Sequence, residues 1–219
     1  MLQLYRTNPL LIFEYAIYGE RHSGTNFLEQ CMNSCFDISR TSFYCDKHFF
    51  GWTKPVTITY KARHVLFIGI VRNPYDWTMA MISVPHHVHP HRMFDINSFL
   101  LGEWYSTSGD QNREIMEDRN PETNLRYKNI FNMRTWKYNY LLNTMPAIAQ
   151  NYVLISYEHF IKNHKNILNI IGEKFSLKKI NEPPNTITKY PYETSNDLKQ
   201  IIDSNLDWNL EEALGYSKR

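Results

Sequence analysis

Cysteine is scarce. The 219-residue chain has three, Cys31, Cys35 and Cys45. So few, and odd in number, they exclude a disulfide framework and point to a reducing compartment. Long apolar runs are missing as well. The hydrophobic stretch at residues 10–18 is short and broken by Glu14, which suits a buried strand and not a membrane span. The opening residues carry no cleavable signal pattern, so a cytoplasmic protein with no membrane span is expected. Charge of one sign is not in excess. Against 22 acidic residues stand 24 basic ones, a net charge of +2, which excludes a non-specific nucleic-acid binder and requires any anion site to be local. There is no internal repeat and no low-complexity linker. With 42% hydrophobic and 21% charged residues the composition is that of a folded globular chain, and the length fits one domain over residues 1–219.

What is present alternates. Residues 11–18, "LIFEYAIY", are apolar, β-branched or aromatic and end at Gly19, which predicts a central strand feeding a glycine turn. In residues 25–35, "TNFLEQCMNSC", Phe27, Leu28, Cys31 and Cys35 recur at helical spacing. Residues 64–71, "HVLFIGIV", form a continuous apolar run of the kind found in parallel strands covered on both faces. Pro74 then opens a helix over about 75–82. A third strand is expected at 152–156, followed by a helix over 157–171. Further helices are expected at 95–105, 129–144 and 194–205, with 106–128 a polar, exposed loop. This alternation predicts an α/β fold in three layers, a mostly parallel central sheet with helices on both faces. Ligands of such folds bind at the carboxyl ends of the strands, so Gly19 and Arg72 should face one crevice.

One further absence is local. "GERHSGTN", residues 19–26, has the glycine spacing of a phosphate-binding loop, yet no Lys stands between Gly24 and Thr25. That Lys grips the β/γ-phosphates in a Walker loop. No acidic Mg²⁺ partner ends the next strand either, because Arg72 does. Backbone N–H groups at the start of a helix still attract anions. Ser23, Thr25 and Asn26 add side-chain donors and Arg21 adds fixed charge. The plain alternative is a tight strand-to-helix turn with a Ser/Thr cap. An anion held here would carry fewer charges than a triphosphate and need no metal.

The loop resembles the 5′-phosphosulfate loop of sulfotransferases that use PAPS (3′-phosphoadenosine 5′-phosphosulfate), whose usual K-S-G-T-T-W reads "HSGTNF" here, residues 22–27. "VRNPYDW", residues 71–77, is similar to that family's 3′-phosphate motif. "VLISYEHF", residues 153–160, resembles its strand ending in Tyr-Glu, and "DKHFF", residues 46–50, its Lys-His element carrying the catalytic base. The four motifs stand in the family's order between residues 11 and 160. The resemblance implies a P-loop-like strand–loop–helix and PAPS as co-substrate without metal. It places Arg21, His22, Ser23, Gly24, Thr25, Asn26, Phe27, Arg72 and Tyr157 on the nucleotide, and His48, Lys47 and His22 in catalysis. His48 would take a proton from an acceptor hydroxyl or amine as it attacks sulfur in line. Two departures stand out. His22 replaces the loop Lys, and Ala80 replaces a Ser that assists the 3′-phosphate Arg. They keep open a nucleotide-binding relative with impaired turnover. A nucleotide or nucleoside kinase is the remaining enzyme rival.

Other clusters compete. "PHHVHPH", residues 85–91, holds four histidines. It can be an acceptor-site loop, a surface loop or a metal site, and His86 and His87 rival His48 as base. Cys31, Cys35, Cys45 and His48 could form a zinc site, although paired knuckle spacing is absent. Residues 124–142 read as an amphipathic helix whose Arg126, Lys128, Arg134 and Lys137 form a solvated face or recognise the acceptor. Residues 84–128 are expected to be the acceptor-side insertion. The acceptor itself is a small molecule, sugar or peptide.

Overall fold

Seven consecutive apolar residues, Val65–Val71, form a strand buried along its whole length, as the continuous run predicts. In the computed structural model, which describes residues 1–8, 10–109, 113–185 and 192–219, this is the fourth of five strands. They are β1 (Leu2–Arg6), β2 (Glu14–Tyr18), β3 (Ser39–Arg40), β4 (Val65–Val71) and β5 (Asn151–Ser156). Their order across the sheet is β1-β5-β4-β2-β3. β5, β4, β2 and β3 run parallel, and β1 joins β5 antiparallel with Leu2 opposite Ile155 and Arg6 opposite Asn151.

The helices are α1 (Thr25–Cys35), α2 (Pro55–Lys61), α3 (Pro74–Ser83), α4 (Ile96–Leu101), α5 (Ile130–Asn139), α6 (Met145–Ile148), α7 (Tyr157–Phe175), α8 (Asn196–Asn205) and α9 (Trp208–Ala213). Successive strand residues point to opposite faces, and the core divides accordingly. Tyr15, Ile17, Leu66, Ile68 and Ile70 pack under α1 and α7. Ala16, Tyr18, Val65, Phe67 and Val71 pack under Ile58 of α2, Leu141, Met145 and Leu210. The result is three layers. A separate apolar cluster joins α3, α4, α5 and α8. Among the described residues no helix is long and apolar enough to cross a membrane.

The structure differs from expectation in five places. The strand expected at 11–18 begins at Glu14, because Leu11 and Phe13 lie exposed ahead of it. β1, β3 and α2 were not anticipated. The helix expected at 95–105 stops at Leu101 before Gly102. Past α5 the helix widens by one turn over Tyr140–Thr144, then resumes as α6, whose Pro146 has no N–H to donate to the preceding turn. In the loop 106–128, of which residues 110–112 lie outside the described ones, Ser106, Thr107 and Asp118 are buried, so it is not simply exposed.

After β2 the chain crosses to β3 on one side, and it returns to β4 on the other. The carboxyl ends of β2 and β4 therefore flank the point where the connections diverge, which is where open α/β sheets bind ligands.

Candidate functional site

A cleft of about 1010 Å³ opens at that point. Its wall includes Arg21, His22, Gly24, Thr25, Asn26, Phe27, Lys47, His48, Arg72 and Tyr157. Ten of the eleven residues assigned from sequence thus share one concavity, and Ser23 does not. The Ser23 hydroxyl is buried against Tyr138 at 3.2 Å, and its N–H donates to the Glu20 carbonyl.

Gly24 caps the start of α1 at φ 92°, with no side-chain hydrogen bond to the first turn. A Cβ there would strike the Tyr157 ring, so only glycine lets the loop lie against that side chain. The leading N–H groups of α1 consequently face the cleft uncapped, as an anion site requires.

Arg72 directly follows β4 and is 7% exposed. Its Nη1 donates to the His22 carbonyl at 2.7 Å, and its guanidinium lies 4.7 Å from the Tyr157 ring centre. Its Nε is buried without a hydrogen bond, and no carboxylate among the described residues pairs with it. A buried cation without a counter-ion is costly. Arg92, 8% exposed and away from the cleft lining, also has no carboxylate partner among the described residues but donates to the Ser98, Phe99 and Gly102 carbonyls, whereas the buried cations at the cleft floor, Arg21, Lys137 and Arg134, are neutralised. Arg21 pairs with Glu20 at 2.5 Å and Asp118 at 2.9 Å, and Lys137 contacts the same two carboxylates at 2.5 Å each. Arg134 is held by both Glu211 oxygens at 2.6 and 2.8 Å. Arg21 is therefore a brace at the cleft floor and offers no free charge to a ligand. Arg134 and Lys137 lie neither on a solvated face nor on an acceptor. Their side chains are buried because the partner carboxylates are.

His48 is half-buried. Its Nδ1 lies 2.7 Å from the Gly19 carbonyl, which can only accept, so Nδ1 carries the proton and Nε2 keeps its lone pair. Burial lowers its pKa to about 4, with Glu20 and the Gly19 carbonyl opposing the shift. It is a neutral base at pH 7. Lys47 reaches the first turn of α1, where Nζ donates to Asn26 Oδ1 at 2.6 Å and lies 3.6 Å from Glu29. His22 has φ 62°, and its Nε2 donates to the Val84 carbonyl at 2.8 Å. Burial lowers its pKa too, with His86, Arg72 and Arg21 adding to the effect against the Val84 carbonyl. In the free protein His22 is a neutral donor and not the fixed charge that the family's Lys supplies.

The histidine-rich segment divides. His86 and His87 line the cleft, while His89 and His91 stack on each other 5.0 Å apart. The zinc alternative does not assemble. Cys31 and Cys35 lie between the sheet and α7, and Cys45 packs on the opposite face. Burial pushes the Cys31 thiol up to about 12 and raises Cys35 and Cys45 as well, which disfavours the thiolates that zinc binds. Among the described residues no three His, Cys, Asp or Glu side chains are grouped to hold a metal.

Glu20, Asp118 and Glu211 were not singled out by sequence reading, yet they set the charge of the site. Glu158, from the Tyr-Glu pair, is structural. It accepts from the Asn73 N–H and from the Tyr216 hydroxyl. No protein-family model matches the chain, and no curated protein matches it significantly.

Proposed function

We propose that this chain is a PAPS-dependent sulfotransferase. The observation that carries the reading is Arg72, a buried cation without a counter-ion that faces a cleft beside an uncapped helix start. Such a group calls for a bound anion, and the 3′-phosphate of PAPS supplies one. The phosphosulfate lies on the N–H groups at Gly24–Phe27, with Thr25 and Lys47 beside it. The acceptor oxygen attacks sulfur and gives its proton to His48 Nε2. The bond from sulfur to the bridging oxygen breaks, and PAP, the desulfated nucleotide, leaves. His48 contributes about 10²–10⁴-fold as base, and the donors at the loop stabilise charge on the departing oxygen. No step requires a metal.

The test is a comparison of thermal stabilisation by PAP without Mg²⁺ and by ATP with Mg²⁺, followed by sulfate transfer to a panel of phenols, sugars and peptides. Stabilisation by PAP alone supports the reading, and stabilisation by ATP–Mg²⁺ alone replaces it with a kinase. His48→Ala should bind PAP and lose transfer. A second reading, a nucleotide-binding protein with impaired turnover, is favoured by the engagement of His22 with Val84 and by Ala80, which lines the cleft where a hydroxyl is expected. PAP binding without transfer to any acceptor would select it.

A further inference from the structure

Four charges lie sealed beneath the cleft, and the transfer chemistry above uses none of them. Glu20 and Arg21 come from the loop, Asp118 from the 106–128 segment and Lys137 from α5. The carboxylate side chains are wholly buried and the two cations are 2% exposed. Arg21 also donates to the Ser106 hydroxyl at 2.6 Å, and that hydroxyl in turn donates to Asp118. Two cations meet two anions, so the cluster offers no net charge to a ligand.

Lys137 has three donors. Two go to Glu20 and Asp118, and the third goes to the His48 backbone carbonyl at 2.8 Å. His48 is therefore gripped at both ends, its carbonyl by α5 and its ring by Gly19, the residue before Glu20. The charged groups facing His48 are Glu20 and Arg21 from the loop and Asp46 from its own turn, whose Oδ1 accepts the His48 N–H.

We propose that Lys137 is a positioning residue for His48. Together with Glu20 and Asp118 it fixes the turn that places His48 on the cleft, and it couples that turn to Asp118 and Ser106 on the acceptor side. The role in transfer rests on the sulfotransferase reading, but the positioning does not.

Lys137→Met combined with Asp118→Asn tests it, because the pair keeps the remaining Glu20–Arg21 charges balanced. Two readouts are needed. One is kcat and KM for transfer, with PAP affinity measured beside them. The other is the pH midpoint of the His48 ring by NMR, assigned by its loss in His48→Ala. The expected result is unchanged PAP affinity, a kcat lower by about tenfold to a hundredfold, and a His48 midpoint moved toward that of an ordinary histidine as the ring gains water. A folded variant with wild-type kcat and wild-type midpoint overturns the proposal. If the wild-type protein transfers no sulfate, the functional reading falls, and the midpoint alone decides the positioning. Should the pair lose its cooperative unfolding transition, Lys137→Gln with Asp118→Asn keeps the same charge balance with polar side chains in place and withdraws the ammonium from the His48 carbonyl. A smaller shift of the midpoint in the same direction then supports the proposal, and no shift overturns it.

Discussion

Arg72→Met should separate the cost of holding an unpaired cation from its benefit. In the free protein the substitution removes one charged hydrogen bond, to the His22 carbonyl at 2.7 Å, worth about 1.5–3 kcal/mol. It also removes the stacking on Tyr157, worth about 0.5–2 kcal/mol. Against these losses stands the relief of a buried charge with no counter-ion, which costs several kcal/mol. The terms nearly cancel, so the denaturation midpoint should stay where it is or rise. Ligand affinity moves the other way. On the proposed reading the 3′-phosphate loses at least one charge-assisted bond, about 1.5–3 kcal/mol, which is a tenfold to ~150-fold weaker PAP complex. Adenosine 5′-phosphate lacks that group and should bind wild type and variant alike. Calorimetric titration of both nucleotides, with urea denaturation of the free proteins, makes the comparison. Equal losses for the two nucleotides, or a large fall in the stability of the free protein, would refute the assignment of Arg72.

Three further outcomes follow from the geometry. The pKa of His48 falls from its ordinary value to about 4 on folding, so its contribution to stability is fully present above about pH 6.5 and is lost as pH falls toward 4. Stability in wild type should drop faster over that window than in His48→Ala, while kcat/KM should hold through the window and fall only near pH 4. Gly24→Ala should destabilise by about 1–3 kcal/mol, because φ 92° disfavours any side chain and Tyr157 occupies the space; unchanged stability and PAP affinity would disprove the tight loop. Arg134→Met strands Glu211 in the core and should cost about 3–5 kcal/mol, most of it regained when Glu211 is also made Leu; denaturation of the single and double variants measures this.

Much of the layer structure was legible because it depends on local patterns. The run at 64–71 could be covered on both faces only in a central strand, and β4 is wholly buried. The glycine loop and Arg72 reached one cleft because parallel strands deliver their carboxyl ends to the same edge. β1 carries only a faint period-2 signal in Leu2 and Leu4. β3, at two residues, carried none. Charge pairing was the least legible feature. Arg21, Arg134 and Lys137 read as ligand-facing or solvated cations, since only Glu20, beside Arg21, is a local partner and the others are distant in sequence. Glu211 lies 77 residues from Arg134, and Asp118 lies 97 from Arg21. Such pairs are a property of the tertiary structure. The clue available was that Arg134 and Lys137 share α5 with Ile130, Phe131 and Met133, all buried, so a helix apolar on most sides leaves little room for a wet face.

The ion cluster also bears on the order in which the molecule assembles. Lys137 meets Glu20 across 117 residues of chain, and neither side chain can be buried alone without a heavy desolvation penalty. Loop closure is not what delays them, because the sheet itself joins Leu2 to Ile155 across a longer span; the desolvation is. The sheet and its two helical layers can gather before these charges meet. The turn that carries His48 is then set at a late stage, when α5 meets Glu20 and Asp118. A chain stalled before that step would have most of its core and no working cleft.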